Sequence, residues 1–282
     1  MRFGVIGCGY VGMDTAIRLK YANHHVVGTT RSKARLGELQ ELLHSAHLLD
    51  ITDATLDLSF TERLDGLLIS VAPTMKGEGY SSVFARGIRN LTHALRQRPR
   101  QSPLHITYIS SAGLYGDQGG ALVTEESAVD AHSPVNALLG AAEELVLNLS
   151  SDNLKICVFR LGGIYGPGRD MVSMIRQAAG QHVPKYGNAV TAWSNIVDIT
   201  RGIYFAYERQ LEGIYNLVDD MQLSRRELST MICDLDGLPP VLWSHTPSQT
   251  ERNMNARVSN SKLKNEGFQL MSPSMLIPVA AP

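Results

Sequence analysis

The chain opens with the sequence Arg2-Phe3-Gly4-Val5-Ile6-Gly7-Cys8-Gly9-Tyr10-Val11-Gly12, and this stretch decides the fold. Residues 3–6 form a short apolar run, which is typical of a buried strand. Residues 10–21 carry their apolar side chains at helical spacing. A G-x-G-x-x-G pattern lies between the two, at the point where a strand would turn into a helix. In that context the pattern predicts a dinucleotide-binding turn.

Each glycine of the pattern has its own steric task. Gly7 allows the tight turn, Gly9 lets the backbone approach a pyrophosphate, and Gly12 lets the helix pack closely on the strand. The helix N-terminus attracts the phosphate charge. An ordinary glycine-rich strand–helix turn is the alternative interpretation. The cofactor contacts predicted at this turn are Gly7, Cys8, Gly9, Tyr10, Val11 and Gly12.

The second predicted strand spans residues 25–28. The segment that follows it decides which cofactor is expected. NAD sites usually carry an acidic residue about 20 residues after the glycines, which holds the ribose 2′-hydroxyl. Residues 28–35 read Gly-Thr-Thr-Arg-Ser-Lys-Ala-Arg and contain no carboxylate. Arginines here could donate charge-assisted hydrogen bonds to a 2′-phosphate. NADP is therefore preferred to NAD, with Thr30, Arg31, Ser32 and Arg35 as its contacts, although Arg35 is equally explained as a solvated helix residue.

Further cofactor contacts are expected where other predicted strands end. Asp50 and Ile51 follow residues 46–49 and are placed to border the adenine, although Asp50 could be a simple loop carboxylate. The remaining expected contacts are Val71, Ala72 and Pro73 after residues 66–70, and Leu161, Gly162 and Gly163 at the end of residues 155–161.

The alternation of strands and helices in the first half predicts an α/β fold with a doubly wound, mostly parallel sheet. The predicted helices there are 10–21, 35–43, 82–98 and 134–149, with a further strand at 105–109. In the less regular second half we expect helices at 171–179, 197–209 and 224–235 and a strand at 214–217. Ser224 and Glu227 form a capping-box pattern at the start of the last helix.

The composition excludes several classes of protein. The 282 residues include 26 basic and 27 acidic ones, a balance that argues against a general nucleic-acid binder or a basic membrane-surface protein. Apolar residues make up 44%, enough for a proper core. No apolar run is long enough to cross a bilayer, and the N-terminus lacks a signal-peptide pattern. Cys8, Cys157 and Cys233 lie too far apart to suggest a disulfide framework or a metal site. We therefore expect a cytoplasmic protein without a metal.

Several blocks, in the right order, resemble the extended and atypical branches of the short-chain dehydrogenase/reductase superfamily, which are similar to NAD-dependent epimerases and dehydratases. Besides the glycine turn, these blocks are Ile109-Ser110-Ser111-Ala112-Gly113-Leu114-Tyr115-Gly116, Thr124-Glu125-Glu126, Phe159-Arg160-Leu161-Gly162-Gly163-Ile164-Tyr165-Gly166-Pro167-Gly168, Asn195-Ile196-Val197-Asp198-Ile199, Gly213-Ile214-Tyr215-Asn216-Leu217 and residues 259–268.

The resemblance covers most of residues 1–270 and implies a Rossmann-type sheet with a small C-terminal substrate-binding lobe. It predicts one domain over residues 1–282. Its NADP-binding core would span about 1–165 and 196–220, its substrate lobe about 166–195 and 221–270, and an irregular tail 271–282. Relatives pair through two long helices, here near 82–98 and 134–149, so a homodimer is compatible with the sequence. The apolar residues of 134–149 equally suit the inner face of a packed helix.

The family's proton-transfer pair is the point at which this sequence departs from the resemblance. Relatives that move a hydride normally use a Ser, a Tyr and a Lys, the last two as Tyr-x-x-x-Lys at the start of the long helix. In residues 133–144 the Tyr falls on Val135 and the Lys on Leu139, and a slip by one residue gives Asn136 and Gly140. Ser111 can still donate a hydrogen bond to a substrate oxygen. The candidate catalytic residues are Ser111, Tyr115 and Tyr165, although the two tyrosines belong to blocks where they are commonly structural.

The sequence thus leaves the activity open. The favoured hypothesis is an NADP-dependent oxidoreductase or epimerase/dehydratase-like enzyme, with a small carbonyl, imine or sugar-type substrate and a non-standard proton relay. The alternative is a catalytically inactive NADP(H)-binding sensor, regulator or assembly factor. A non-redox lyase or isomerase is a third reading, because one dinucleotide fold hosts many functions.

Overall fold

A computed structural model of the chain describes residues 1–73, 79–97, 102–247 and 254–277. The strands are β1 (Arg2–Ile6), β2 (His25–Thr30), β3 (Ser45–Leu48), β4 (Gly66–Ile69), β5 (Leu104–Ser111), β6 (Asp117–Val123), β7 (Leu154–Leu161), β8 (Gly163–Tyr165), β9 (His182–Tyr186), β10 (Trp193–Asn195), β11 (Gly213–Leu217), β12 (Leu242–Ser244) and β13 (Asn255–Val258). The α-helices are α1 (Tyr10–Tyr21), α2 (Lys33–Leu42), α3 (Ile88–Arg96), α4 (Pro134–Leu147), α5 (Met171–Gln177), α6 (Ile196–Arg209), α7 (Arg225–Leu235) and α8 (Ser261–Asn265).

The described residues form a seven-stranded parallel sheet in the order β3-β2-β1-β4-β5-β7-β11. From β1 the chain moves outward to β3, returns to β4 on the other side of β1, and then continues in the opposite direction. The register on both sides of β1 is seen at Val5. This residue lies opposite Gly28 on β2 and opposite Leu68 on β4. The predicted doubly wound α/β fold is confirmed. Ligands of such sheets bind at the carboxyl ends of the strands where the order reverses, here between β1 and β4.

The chain divides into two compact units, and the first contains most of the sheet. It comprises Met1–Ser110, Ala137–Phe159 and Thr200–Ile214. Apart from β3 at the edge of the sheet, its strands are mostly buried, as expected when helices cover both faces of a parallel sheet. Side chains with at most 1% exposure include Val5, Ile6, Val26, Ile69, Ile88, Leu91 and Ile106.

The second unit comprises Ser111–Asn136, Arg160–Ile199 and Tyr215–Pro282. Short strands pair in it as two-stranded parallel ladders, β8 with β10, β9 with β12 and β6 with β13. One of its apolar clusters packs α5 against α7 and contains Ile175, Met221, Leu228, Ile232, Cys233 and Val241. The predicted capping box of α7 is confirmed, because Ser224 Oγ accepts from the Glu227 N–H at 3.2 Å and Glu227 Oε2 accepts from the Ser224 N–H at 2.8 Å.

Most predicted elements are present, with shifts of a few residues at their ends. The helix predicted over residues 82–98 differs, because Ser81–Gly87 is a π-helix that continues into α3. A Cβ at Gly87 would lie 2.7 Å from the Ile51 side chain, so close packing occurs at this irregular turn. Arg98, the predicted helix end, and residues 278–282 of the predicted irregular tail lie outside the described residues. None of the helices within the described ranges has the length and apolar character needed to cross a membrane.

Candidate functional site

The glycine turn joins β1 to α1 as predicted, and its three glycines are not equivalent. Gly7 has φ +93°, and a Cβ there would lie 2.7 Å from the Ser70 carbonyl oxygen. A Cβ at Gly12 would overlap the carbonyl oxygen of Gly7. Gly9 is exposed, and among the described residues no heavy atom beyond its two chain neighbours lies within 4 Å of the place its Cβ would take. The fold itself therefore requires Gly7 and Gly12, whereas the open space at Gly9 is what an approaching pyrophosphate needs.

The turn is held rigidly to β2. The Cys8 N–H donates to the Thr29 carbonyl at 3.0 Å, and the Gly7 N–H donates to Thr29 Oγ1 at 3.2 Å. Cys8 is 2% exposed, and burial raises the pKa of its thiol to about 11, so the thiol stays protonated at neutral pH. Gly9 is the N-cap of α1 and brings no capping side chain, and a helix N-terminus of this kind attracts anions.

Two arginines follow the end of β2, and one of them, Arg35, contacts the glycine turn. Thr30 Oγ1 accepts from the Ser32 N–H at 3.1 Å, which shapes the entry into α2. Arg35, in the first turn of α2, donates from Nη1 to the Cys8 carbonyl at 3.1 Å, and its Nε lies 3.6 Å from Glu38 Oε2. Arg35 therefore contacts the glycine turn. The interpretation of Arg35 as a solvated helix residue does not explain this contact. Arg31 is exposed.

Asp50 lies just after β3, in a turn that its own side chain stabilises. Its Oδ1 accepts from the Thr52 N–H at 2.9 Å and from Thr52 Oγ1 at 2.8 Å. Partial burial would raise the pKa of Asp50, but these hydrogen bonds and the charges of Arg31 and Arg86 bring that pKa below its ordinary value. Arg31 therefore acts electrostatically on Asp50. Ile51 beside it is buried.

Together these segments form one candidate cofactor site in the first unit. The carboxyl ends of β1, β2, β3 and β4 contribute, in chain order, Gly7–Gly12, Thr30–Arg35, Asp50 and Ile51, and Val71, Ala72 and Pro73. Ala72 is exposed, and Val71 and Pro73 are partly so. Such an edge, with glycines at the turn after the central strand, fits a dinucleotide.

Leu161, Gly162 and Gly163 lie in the second unit, where each has local packing partners. Leu161 is 2% exposed. The Gly162 N–H donates to Ser194 Oγ at 2.9 Å, and a Cβ at Gly162 would overlap the Ala192 carbonyl oxygen. A Cβ at Gly163 would lie 2.7 Å from the Trp193 ring. The pairing of β8 with β10 therefore accounts for both glycines, and their contact with a cofactor stays a prediction.

Ser111 is the N-cap of a short 3-10 helix, Ala112–Tyr115, which ends at Tyr115. Ser111 Oγ accepts from the Gly113 N–H at 3.2 Å and is partly exposed. Tyr115 is fully buried, and its hydroxyl donates to Asn216 Oδ1 at 2.9 Å and accepts from Arg160 Nη1 at 3.1 Å. Burial raises the pKa of Tyr115. This geometry favours a structural role for Tyr115 and leaves Ser111 as the accessible hydroxyl of the pair.

Tyr165 is 6% exposed and bonded to groups that the sequence did not indicate. Its hydroxyl oxygen lies 3.2 Å from Asp219 Oδ2 and 3.4 Å from the Ser272 carbonyl oxygen, so its single proton is donated to one or shared between these two acceptors. Burial, followed by the Asp219 charge, raises the pKa of Tyr165, so the phenol is a weak acid. Asp219 is itself 2% exposed, and burial raises its pKa to about 8. Nearby, the Asp198 carboxylate accepts from the Met271 and Ser272 N–H groups, both at 2.8 Å.

A buried polar pair in the first unit was also missed. Ser110 Oγ donates to Glu143 Oε1 at 2.5 Å, and Glu143 is 3% exposed on α4. It lies one turn after Leu139, which is also buried. The signal was available, because an acidic residue interrupts the buried face of a long apolar helix, where a carboxylate needs a partner. This pair joins the end of β5 to α4.

The second unit contains a pocket of about 340 Å³. It is lined by Tyr165, Gly166, Pro167, Gly168, Arg169, Asp170, Met171, Val172 and Met275. All but Met275 belong to the segment that leads from β8 into α5, which lies at the start of the predicted substrate lobe.

Comparison with known proteins defines the family. The model of the NAD dependent epimerase/dehydratase family matches residues 5–217. The protein belongs to the NAD dependent epimerase/dehydratase family, which confirms the resemblance inferred from the motifs. No curated protein matched the chain in a sequence search.

Solved structures with the same fold include enzymes of this type. A protein from Methylobacillus flagellatus, assigned to the NAD-dependent epimerases/dehydratases, is 26% identical with a TM-score of 0.73, over 98% of this chain and 94% of that one. A double mutant of dTDP-glucose 4,6-dehydratase from Streptomyces venezuelae, with NAD bound, is 19% identical with a TM-score of 0.75, over 94% and 90%. UDP-glucuronic acid 4-epimerase from Bacillus cereus, in complex with UDP-glucuronic acid and NAD, is 20% identical with a TM-score of 0.72, over 94% and 92%.

Proposed function

We propose that the protein is an NADP-dependent enzyme of the oxidoreductase or epimerase/dehydratase type, acting on a small carbonyl, imine or sugar-type substrate. The observation that carries the cofactor assignment is the end of β2. There Arg35 is bonded to the glycine turn, Arg31 is exposed, and residues 28–35 contain no carboxylate that would repel a 2′-phosphate. When bound, the nicotinamide ring accepts or donates a hydride.

The chain's own residues would hold the cofactor through its charged parts. The N-terminus of α1 would bind the pyrophosphate over Gly9, and Arg31 with Ser32 would bind the 2′-phosphate. Ser32 is the N-cap of α2, and among the described residues its side chain makes no capping bond, so its hydroxyl is suited to a ligand. Asp50 and Ile51 would border the adenine.

The proposed chemistry depends on a non-standard proton relay. Val135 cannot transfer a proton, and Leu139 cannot supply positive charge. General acid–base catalysis contributes about 10²–10⁴-fold, so the usual mechanism would be weakened by that order. Ser111 would donate a hydrogen bond to the substrate oxygen.

The cofactor assignment is tested with Arg31→Ala. NADPH affinity, measured by calorimetry, is expected to fall about tenfold or more, because a charge-assisted bond to the 2′-phosphate is lost. NADH has no such phosphate, so its affinity should change less than about twofold. Arg63→Ala, another exposed arginine of the first unit, serves as the control and should change neither. Equal weakening of both cofactors by Arg31→Ala would contradict the assignment.

A cofactor-binding sensor without turnover is the second candidate. It is favoured by the two tyrosines, because both hydroxyl groups already have buried partners in the second unit. NADPH oxidation in the presence of a panel of carbonyl and imine compounds distinguishes the candidates. An enzyme oxidises NADPH with one of them and loses this activity in Ser111→Ala while keeping its NADPH affinity. A sensor shows no oxidation with any compound, and a Ser111→Ala variant with unchanged turnover would remove Ser111 from the mechanism.

A further inference from the structure

The loop of residues 50–53, which follows β3, is held against the π-helix of the first unit. A Cβ at Gly87, the last residue of that helix, would lie 2.7 Å from the Ile51 side chain. Just beyond it, the Asn90 side-chain amide donates to the Asp53 carbonyl at 2.9 Å and to the Ile51 carbonyl at 3.3 Å. Close packing and hydrogen bonds together therefore fix the loop on the helix.

This packing brings a cation of the π-helix towards an acidic residue of the loop. Arg86 precedes Gly87 in the chain, and Asp50 precedes Ile51. Each thus adjoins one member of the contact between helix and loop. Arg86 is exposed, and Asp50 is partly so. Helices of the π type are rare and are often found at functional sites, so Arg86 is a candidate for a role in the cofactor site that Asp50 borders.

The electrostatics agree with this placement. Burial would raise the pKa of Asp50, but the hydrogen bonds from Thr52 and the charges of Arg31 and Arg86 bring that pKa below its ordinary value. Asp53 of the same loop is exposed and does not contribute to this shift. Within the described part of the chain, neither the Arg31 nor the Arg86 side chain donates a hydrogen bond. Both guanidinium groups therefore act on Asp50 through charge and keep their donors for a ligand.

The balance of charge at this edge decides whether a phosphate is attracted. A phosphate monoester carries about −1.5 to −2 charges at pH 7, so a nearby carboxylate opposes its binding. The charge of Arg35 is already shared with Glu38, 3.6 Å away. Arg31 by itself would only balance Asp50. Arg86 adds the second positive charge, which leaves these three side chains, two basic and one acidic, with a net positive charge.

We infer that Arg86 is a specificity-determining residue of the cofactor site, which offsets the Asp50 carboxylate so that Arg31 can attract the 2′-phosphate of NADPH. This inference rests on the proposed function, because it assigns Arg86 to the NADP site proposed there. NADH lacks the 2′-phosphate. Arg86 should therefore affect the discrimination between the two cofactors, whereas binding of the shared adenine and pyrophosphate groups should not depend on it.

The test is calorimetric titration of the full-length protein with NADPH and with NADH, at about 0.02 M salt, where exposed charges are least screened. The readout is the dissociation constant of NADH divided by that of NADPH, in which the contacts shared by both cofactors cancel. Arg86→Gln should lower this ratio about threefold to tenfold. Arg86→Lys, which keeps the charge, should leave the ratio within about twofold. Arg89→Gln is the matched control, since Arg89 is an exposed arginine of the adjoining α3, and it should leave the ratio unchanged.

A second pair of variants tests the charge balance itself. Asp50→Asn removes the opposing charge, while its side-chain oxygen can still accept from Thr52 as Asp50 Oδ1 does. It should raise the ratio by a similar factor. The double variant Asp50→Asn with Arg86→Gln has the same net charge as the wild type at these three positions. Its ratio should therefore return to within about twofold of the wild-type value.

Four results would overturn the inference, provided that circular dichroism shows folded variants. They are an unchanged ratio in Arg86→Gln, an equal loss in Arg86→Lys, an equal loss in Arg89→Gln, and a double variant that stays as low as Arg86→Gln alone. Equal weakening of NADPH and NADH by Arg86→Gln leaves the ratio unchanged and so counts as the first. The titrations with Arg31→Ala are separate measurements. If Arg31→Ala reduces discrimination and Arg86→Gln does not, the inference fails and the proposed cofactor assignment stands.

Discussion

At the scale of single residues, Asp219 combines deep burial with hydrogen bonds to only a few partners. Its Oδ1 accepts from the Met221 N–H at 3.1 Å, and its Oδ2 accepts from Tyr165. The neighbouring charges of Asp220 and Asp198 add to the effect of burial on its pKa. The carboxyl group is therefore mostly protonated in the folded protein at pH 7, unlike an ordinary aspartate.

This protonation gives a pH dependence of stability with a definite sign. The pKa of Asp219 is about 8 when folded, against an ordinary value of 3.8, so between those values the folded state binds more protons than the unfolded state. The contribution of Asp219 to the free energy of unfolding is therefore largest below about pH 4, falls as the pH rises to about 8, and is level above that.

Asp219→Asn, which keeps a neutral side chain of the same size, should remove that decline. The free energy of unfolding in urea, measured from pH 4 to pH 9, should fall more in the wild type than in the variant. Other titrating groups, such as His105, whose burial lowers its pKa, act in both proteins and cancel in the difference. Parallel curves for the two proteins would mean that Asp219 has no such role.

The glycine turn offers a matched pair of substitutions. Gly12→Ala should destabilise the fold by about 1–3 kcal/mol, because the new Cβ overlaps the Gly7 carbonyl oxygen. Gly9→Ala meets no atom within 4 Å beyond its chain neighbours, so it should destabilise the fold less than Gly12→Ala, by about 0.5–1 kcal/mol because alanine is a poorer N-cap than glycine. Its NADPH affinity should nevertheless fall, because the methyl group would occupy the space proposed for the pyrophosphate. Unfolding and NADPH titration of both variants check this, and an unchanged NADPH affinity in Gly9→Ala would argue against pyrophosphate binding there.

At the scale of elements, the capping box at the start of α7 is the clearest link between a local sequence signal and stability. Ser224→Ala removes the acceptor for the Glu227 N–H and should lower the free energy of unfolding by about 1 kcal/mol. Thr230→Ala, an exposed position of the same helix, is the control and should change little. The two values come from urea unfolding, and equal effects would show that the cap contributes nothing specific.

Elements that follow from local pattern were predictable, and elements that depend on distant partners were not. The apolar run of β1, the glycine turn and the periodicity of α1 are all contained in residues 2–21, so the sequence predicts them closely. The short strands β6 and β13 pair across more than a hundred residues, with Asn255 opposite Asp117. No local periodicity indicates such a pair. The π-helix Ser81–Gly87 likewise carries apolar residues at spacings that resemble an α-helix.

The candidate site divides in the same way. Gly7–Gly12 and Arg31 follow from residue type and spacing, because phosphate binding needs bare backbone and positive charge. The bond from Arg35 to Cys8 joins residues on different elements, and only the fold brings them together. The partners of Tyr115 and Tyr165 also come from distant segments, which is why the sequence left both tyrosines as candidate catalytic residues.

At the scale of the whole molecule, the net charge of −1 conceals an uneven distribution. The candidate cofactor site contains Arg31 and Arg35, whereas the carboxylates of Asp198 and Asp220 lie near the protonated Asp219 in the second unit. Ligand binding should therefore act locally in the first unit. NADPH at 100 times its dissociation constant would stabilise the folded state by about 2.7 kcal/mol.

Hydrogen exchange with and without NADPH should show where this stabilisation acts. Amides of residues 7–12, 30–35, 50–51 and 71–72 should exchange more slowly with NADPH bound, because their N–H groups or neighbours would be covered. The two-stranded ladder of β9 and β12, in the second unit, is the internal reference. Unchanged exchange in all four segments would contradict the proposed cofactor site.

The buried Cys8 thiol in the glycine turn can report how often this turn opens. Cys8 is shielded, protonated and held between β1 and β2. An alkylating reagent can therefore modify it only in the moments when the turn has opened. The rate of alkylation of Cys8 would therefore measure how often the glycine turn opens, and no mutation is needed. A ligand that closes over the turn should slow this reaction in proportion to its occupancy.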